Sequence, residues 1–263
     1  MRLDLFLTEK GYSQSRTRAA ALIKSGCVSV NGRTANKVSA EVTEDDRIEI
    51  VNKEPEADYV SRGRIKLEAA VKRFSVDAEG RVCADIGAST GGFTECLLSH
   101  GAARVYAVDS GHGQLAVSLA KDERVVNLEG VNARYISDKM IPERCSLVVC
   151  DVSFISQTLL FDSLTGIITD GGDYIGLIKP QFECGRQALN KKGIVKDPHD
   201  HVFAIKKVVD ALSVSGFIPR GIMKSPVSGG DGNTEYLVYA GYNKGQNNLD
   251  EKTIKEVVLE RSC

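Results

Sequence analysis

Nowhere in the chain does an apolar run approach the ~20 residues that a membrane-crossing helix requires. Arg2, Asp4, Glu9 and Lys10 break up the stretch where a secretion leader would sit. Neither a membrane span nor a cleaved signal is expected, and the cytoplasm is the expected compartment. The seven cysteines (27, 83, 96, 145, 150, 184 and 263) are odd in number and scattered, with no Cys-x-x-Cys pair. That pattern argues against a zinc site and a disulfide framework alike, and buried reduced thiols suit a cytosolic protein. Internal repeats and low-complexity tracts are also missing.

What the sequence does have is charge in blocks. The formal net charge of −1 conceals seven Lys/Arg against Asp4 and Glu9 in residues 1–37. Residues 38–58 then carry eight acids against Arg47 and Lys53, and residues 59–74 five bases against Glu68. A basic amino-terminal module on a near-neutral chain suggests a local face for a polyanion. Candidates for that face are Arg2, Arg16, Arg18, Lys24, Lys37, Arg62 and Arg64. With 263 residues the chain can bury one large core beside a small companion domain.

Hydrophobic spacing fills in the rest. A short helix from Leu3 ends at Gly11, and a second, capped by Ser13 or Ser15, ends at Gly26. Cys27–Val30 followed by Asn31-Gly32 reads as a strand entering a tight hairpin, and Val38, Val42 and 48–51 are expected to complete a small sheet. Residues 52–60 form a polar linker. Strands are expected over 81–86, 103–108, 124–128, 146–150, 173–178, 217–223 and 235–242. Helices are expected near 64–74, 92–99, 113–120, 156–168 and 200–214, with another in the tail 244–263. This alternation predicts an α/β fold with an open, mainly parallel sheet covered on both faces. The expected division is 1–51, the linker, a large domain over 61–243, and the tail.

Ligands in such sheets sit outside the carboxyl ends of the strands. There the chain places Asp85-Ile86-Gly87-Ala88-Ser89-Thr90-Gly91-Gly92-Phe93 and, after the next strand, Asp109, which can accept from a ribose diol. Ser89 stands where a dinucleotide fingerprint needs its second glycine, so S-adenosylmethionine is favoured over NAD. Four charged residues fall near the same edge: Lys66 opening a helix, Asp151 and Lys179 ending strands, and Glu235 starting one. Singly, each is ordinarily a solvated loop residue. Together they suit proton removal from a poor acid, because a free lysine titrates near ~10.4 and neighbouring charges can tune it. The last strand must run antiparallel to bring Glu235 there. His199 and His201 follow Pro198 at a helix start, which explains them better than a metal site; no metal is expected.

Two resemblances follow from these motifs. Arg2-Leu3-Asp4, Ser15-Arg16-x-Arg18-Ala19 and Gly26-x-Val28-x-Val30-Asn31-Gly32 resemble the alpha-L RNA-binding motif of a small-subunit ribosomal protein, a small α+β domain. The order Lys66, Asp151, Lys179, Glu235 resembles the tetrad of the heat-shock RNA ribose-2′-O-methyltransferases. With Tyr59–Leu67, Cys150–Ser156, Leu177–Glu183 and Gly232–Tyr236, the chain up to about residue 242 is similar to the hemolysin-A (TlyA) family of ribosomal RNA methyltransferases.

The resemblance implies a Rossmann-like methyltransferase sheet and methyl transfer from S-adenosylmethionine to a cytidine ribose in ribosomal RNA. It also implies Lys179 as base, with Lys66 and Asp151 tuning it and orienting the hydroxyl, and Glu235 holding the lysines or the ribose. Asp85, Gly87, Ala88, Ser89, Thr90, Gly91, Gly92, Phe93, Asp109 and Asp151 would line the cofactor, and Asn132 would approach the adenine. The competing classes are a membrane-lytic hemolysin, a non-catalytic ribosome-assembly factor, and a small-molecule methyltransferase. For the first, the chain offers neither a hydrophobic span nor a strongly amphipathic basic helix. The second would not need the tetrad, and the third would not need the basic module.

Overall fold

The computed structural model describes residues 1–13, 16–24, 26–50, 59–230 and 232–260, without the side chains of Thr17, Arg18 and Ala21. Ser15, Asp231 and most of the expected linker lie outside the described residues. The chain divides into two compact units, Met1–Tyr59 and Val60–Cys263.

In the first unit, α1 (Leu3–Glu9) and α2 (Arg16–Lys24) bury Leu3, Phe6, Leu7, Ala19, Leu22 and Ile23 against Val28 and Ile48. Strands β1 (Val28–Val30), β2 (Arg33–Thr34) and β3 (Ile48–Ile50) form an antiparallel sheet in the order β2-β1-β3. Asn31 and Gly32 turn the hairpin with φ of 53° and 76°, the pair of left-handed residues that a two-residue hairpin of this hand requires. Val38 and Val42, expected in the sheet, lie outside it. The carbonyls of Val38 and Ala40 instead receive the amides of Asp4 and Leu3 at the open start of α1, and Val42 bonds to Met1.

The second unit begins with α3 (Gly63–Phe74), β4 (Val82–Ile86), α4 (Gly92–Ser99), β5 (Arg104–Asp109), α5 (Val117–Ala120) and β6 (Val125–Glu129). It continues with β7 (Cys145–Cys150), α6 (Phe161–Thr165), β8 (Ile168–Ile178), α7 (Pro180–Glu183) and α8 (Pro198–Val214). It closes with β9 (Phe217–Lys224), β10 (Tyr236–Tyr242) and α9 (Glu251–Leu259). The seven strands are ordered β6-β5-β4-β7-β8-β10-β9, parallel except for β10, which is antiparallel to both its neighbours. Both faces are buried, as β8 illustrates: Tyr174 and Ile178 pack into one core with Phe161 and Phe217, Ile175 and Leu177 into the other with Leu67 and Leu97.

Two expected helices come out shorter. Instead of starting near 113, α5 starts at Val117: Gly113 stands at φ 65°, outside helical space, and the Glu129 carboxylate gathers the amides of Gly113, Gln114 and Leu115 into the turn that precedes the helix. The stretch 156–168 breaks into a 3₁₀ turn at Gln157–Leu159, which Ser156 caps, then α6 and the start of β8.

Candidate active site

Strand order reverses at β4, and the crevice at the carboxyl ends of β4, β5 and β7 is where an open α/β sheet takes a ligand. The turn leaving β4 is tight. Gly87 has φ +87°, and a Cβ there would stand 2.5 Å from the Asp151 carbonyl oxygen, so no larger residue fits. Ser89 is also left-handed, φ 48°, which aims its amide at Asp109 Oδ2, 2.8 Å away. Gly111 donates to the other carboxylate oxygen at 2.7 Å. Two backbone amides thus fix the Asp109 carboxylate and fill about half of its roughly four acceptor sites. The remainder can take the hydroxyls of a nucleoside.

A cavity of about 440 Å³ opens here, lined by Gly87, Ser89, Asp109, Asn132 and Asp151 among others, a size proper to small-ligand sites. Asn132 also caps the 3₁₀ turn that follows it, accepting from the Arg134 amide. Asp85 and Gly91 line neither this cavity nor the smaller one beside it. Asp85 is wholly buried beneath the turn and accepts from Thr94 at 2.7 Å through Oδ2, while Oδ1 has no partner. Burial pushes its carboxyl up to about 7, with the charges of Asp151 and Asp109 adding to the effect and the Thr94 bond opposing it.

The four charged residues form two close pairs. Lys66, from the first turn of α3, donates to Glu235 Oε2 at 2.6 Å. Register explains how Glu235 arrives: the first residue of β10, Tyr236, pairs with Ile178, the last of β8. The residue before Tyr236 therefore meets the residue after Ile178, which is Lys179. Lys179 Nζ stands 2.6 Å from Asp151 Oδ1 as a charge contact, and its hydrogen bond goes to Ser153 Oγ at 2.8 Å. Lys66, Lys179 and Glu235 are buried.

Lys66, Lys179 and Asp151 line the smaller cavity, about 270 Å³, together with Arg62, Ala88, Thr90, Gly92 and Phe93. The two cavities share Gly87, Ser89, Asp151 and Ser153. A donor in the larger one and an acceptor hydroxyl in the smaller one would meet at that common wall.

The basic candidates separate into kinds. Arg2 and Arg16 both anchor on Asp4, at 2.9 and 3.1 Å, yet each stays about half exposed. Lys24, Lys37 and Arg62 are exposed, and the Arg18 side chain lies outside the described residues. Arg64 is largely covered and engaged by Glu68 and Glu95, so it is ill placed to reach a phosphate. Glu68 in turn gathers Cys96 and His100 around it. At α8, Asp197 caps through the His199 amide, and His201 is buried between the Val195 carbonyl and the Tyr236 hydroxyl. Asn233, two residues before Glu235, is buried and bonded to Val195 and Gly193.

Sequence reasoning gave no role to Ser153, Phe154, Glu183 or Lys207. Phe154 lines the larger cavity, is 92% exposed and is held at φ 65°, a costly conformation for an aromatic residue. Only its place in the loop after Asp151 could have drawn notice.

Residues 59–242 match the FtsJ-like methyltransferase family, and residues 1–48 match the S4 domain. The chain is 41% identical over 238 residues to the 16S/23S rRNA (cytidine-2′-O)-methyltransferase TlyA of Mycobacterium tuberculosis, covering 90% of this chain and 88% of that one. Hemolysin A of Brachyspira hyodysenteriae is 41% identical over 244 residues, covering 91% and 99%. A solved structure of a hemolysin-named protein from Streptococcus thermophilus superposes with a TM-score of 0.77 at 36% identity, covering 98% and 94%. Among the described residues no helix is long and apolar enough to cross a membrane. With its cofactor turn, paired lysines and leading S4 domain, the chain belongs to the FtsJ-like methyltransferases, in the hemolysin-A (TlyA) group.

Proposed function

We propose that the protein transfers a methyl group from S-adenosylmethionine to the 2′-hydroxyl of a cytidine in ribosomal RNA. The observation that carries this reading is the smaller cavity, lined by Lys66 with Glu235 behind it and by Lys179 paired with Asp151, which it shares as a wall with the larger cavity. When bound, the cofactor supplies an electrophilic methyl on a sulfonium. Asp109 would take its ribose diol and Asn132 its adenine edge, with Gly87 and Ser89 as the floor.

A sugar hydroxyl is a weak acid and a poor nucleophile until its proton has somewhere to go. Lys179, once it has released a proton to solvent and stands as the neutral amine, would accept the hydroxyl proton as the oxygen takes the methyl and the sulfonium leaves as a neutral thioether. Asp151, 2.6 Å away, steadies the ammonium that forms. Lys66, held by Glu235, keeps its positive charge near the oxygen as negative charge builds there. In-line attack demands fixed geometry, so positioning supplies much of the rate.

The S4 domain, with Arg2, Arg16, Lys24 and Lys37, would deliver the catalytic domain to folded RNA through phosphate and sugar contacts. Action on ribosomal RNA puts the reaction in the cytoplasm, and the ribosomal subunit is then the partner. Mapping ribose methylation of ribosomal RNA from cells with and without the gene tests this reading. One or more 2′-O-methylcytidines should vanish on deletion and return with the wild-type gene; an unchanged map refutes it.

A further inference from the structure

The loop leaving β7 and the turn leaving β8 carry Asp151 and Lys179 at their near ends, and their far ends are tied by a second ion pair. Glu183, the last residue of α7, is buried. Its Oε1 accepts from the Gln157 amide at 3.0 Å, and its Oε2 from Ser156 Oγ and from Lys207 Nζ at 3.1 Å. Lys207, on α8, also donates to the Glu183 carbonyl at 3.1 Å. Gln157 is fixed from the other side, where its side chain bridges the Leu177 carbonyl and the Tyr174 hydroxyl at 3.1 and 2.8 Å.

Together these contacts close a ring. From Asp151 the chain runs along the loop to Ser156 and Gln157, crosses to Glu183, returns through the single turn of α7 to Lys179, and meets Asp151 again at 2.6 Å. Ser153 braces the ring internally by accepting from Lys179 at 2.8 Å. Without the crossing at Glu183, the far ends of the two segments would be left with the Gln157 side chain on β8, the weaker Lys207–Ser156 bond and the Phe154–Phe182 contact. Phe154 lies in the same loop with its ring 5.3 Å from that of Phe182, so its strained φ is also held by this closure.

A carboxylate as buried as Glu183, paired with a Lys207 that is still 37% exposed, is a costly way to stabilise a fold, since an apolar residue of similar size does as well or better. What charged groups give instead is a defined position. An error of about 1 Å in a reacting group can cost about 100-fold in rate.

We propose that Glu183 and Lys207 are positioning residues for methyl transfer. Their pair sets the separation of Lys179 and Asp151, and with it the place where the 2′-hydroxyl proton is received. The proposal rests on the methyltransferase reading above, and neither residue touches substrate.

The test uses the full chain with Glu183→Gln, Lys207→Met, Lys207→Arg and the Glu183→Gln/Lys207→Met double variant. Amide hydrogen exchange over 151–157, with no RNA present, should quicken about 10-fold or more in Glu183→Gln and Lys207→Met while thermal melting stays cooperative. At saturating S-adenosylmethionine and ribosomal RNA, kcat should fall about 10- to 100-fold. KM for RNA should change less than about 3-fold, and cofactor Kd should rise less than kcat falls. Lys207→Arg, which keeps the cation, should recover kcat to within about 3-fold of wild type. The double variant should be no slower than the slower single one, as residues acting as a unit require.

Wild-type kcat in Glu183→Gln overturns the proposal, as does a loss that merely tracks the unfolded fraction or the cofactor Kd. Wild-type protein that methylates no RNA would sink the parent reading instead. The exchange measurement would still decide whether the ring exists.

Discussion

Lys66 and Glu235 are 169 positions apart in sequence and 2.6 Å apart in the fold, both buried. Removing one partner leaves a largely buried charge without its counter-ion, a change that costs about 3–5 kcal/mol, whereas replacing both with apolar residues is often neutral. Glu235→Leu should therefore melt well below wild type. The double variant Lys66→Met/Glu235→Leu should regain most of that stability while remaining inactive. Thermal unfolding and methyl transfer measured on the same samples separate the two effects, and a double variant that is both stable and active would remove Lys66 and Glu235 from the chemistry.

Asp85 gives a pH dependence of known sign. Its carboxyl is raised by burial from 3.8 to about 7, so the folded state holds a proton that the unfolded state has already released. Stability from this group is fully present below about pH 4 and is lost as pH climbs towards and through 7. At ~1.4 kcal/mol per pH unit the span amounts to roughly 4 kcal/mol. Asp85→Asn cannot ionise. Urea unfolding at pH 5 and pH 8 should show the wild type losing stability relative to the variant as pH rises; a constant difference between them would contradict the raised value.

Gly87→Ala should damage the cofactor turn. The added methyl would lie 2.5 Å from the Asp151 carbonyl, in a backbone conformation that side chains avoid. A cost of about 1–3 kcal/mol is expected from the conformation alone, with relaxation passed directly to Asp151. Calorimetry should show S-adenosylmethionine affinity down by about 10-fold or more, and unchanged affinity would mean that the turn yields more easily than its contacts imply.

The basic face of the first unit should act on RNA and not on the cofactor. Lys24 and Lys37 are exposed, and replacing both with alanine should weaken RNA binding. The slope of log affinity against log salt should become shallower by about 0.7–0.9 for each phosphate left without its lysine. Cofactor affinity should not move. An unaltered salt slope would take these lysines out of the RNA interface.

Much of this was legible in the residues because it is local. Strand ends, the turn at 87–93 and the Asn31-Gly32 hairpin announce themselves through small residues and short periods. Even the antiparallel β10 followed from requiring Glu235 to reach Lys179. The failures have a common cause, in that distant groups claimed backbone that the local pattern assigned elsewhere. Glu129 gathers three amides into the turn before α5, and the start of α1 takes the carbonyls that would have made Val38 a strand residue. Arg64 looked like a free cation until Glu68 and Glu95 folded against it. Glu183 stood in the Leu177–Glu183 motif without a role and Lys207 in no motif, because their partners come from a distant loop.

The most direct test of the account pairs wild type with Lys179→Ala. Both are given ribosomal subunits and methyl-labelled S-adenosylmethionine, and the digested RNA is read by mass spectrometry while cofactor affinity is measured by calorimetry. The account predicts 2′-O-methylcytidine from the wild type, at least ~100-fold less from the variant, and equal cofactor affinity. Ribose methylation by Lys179→Ala at the wild-type rate, or label on a base instead of a sugar, would contradict it.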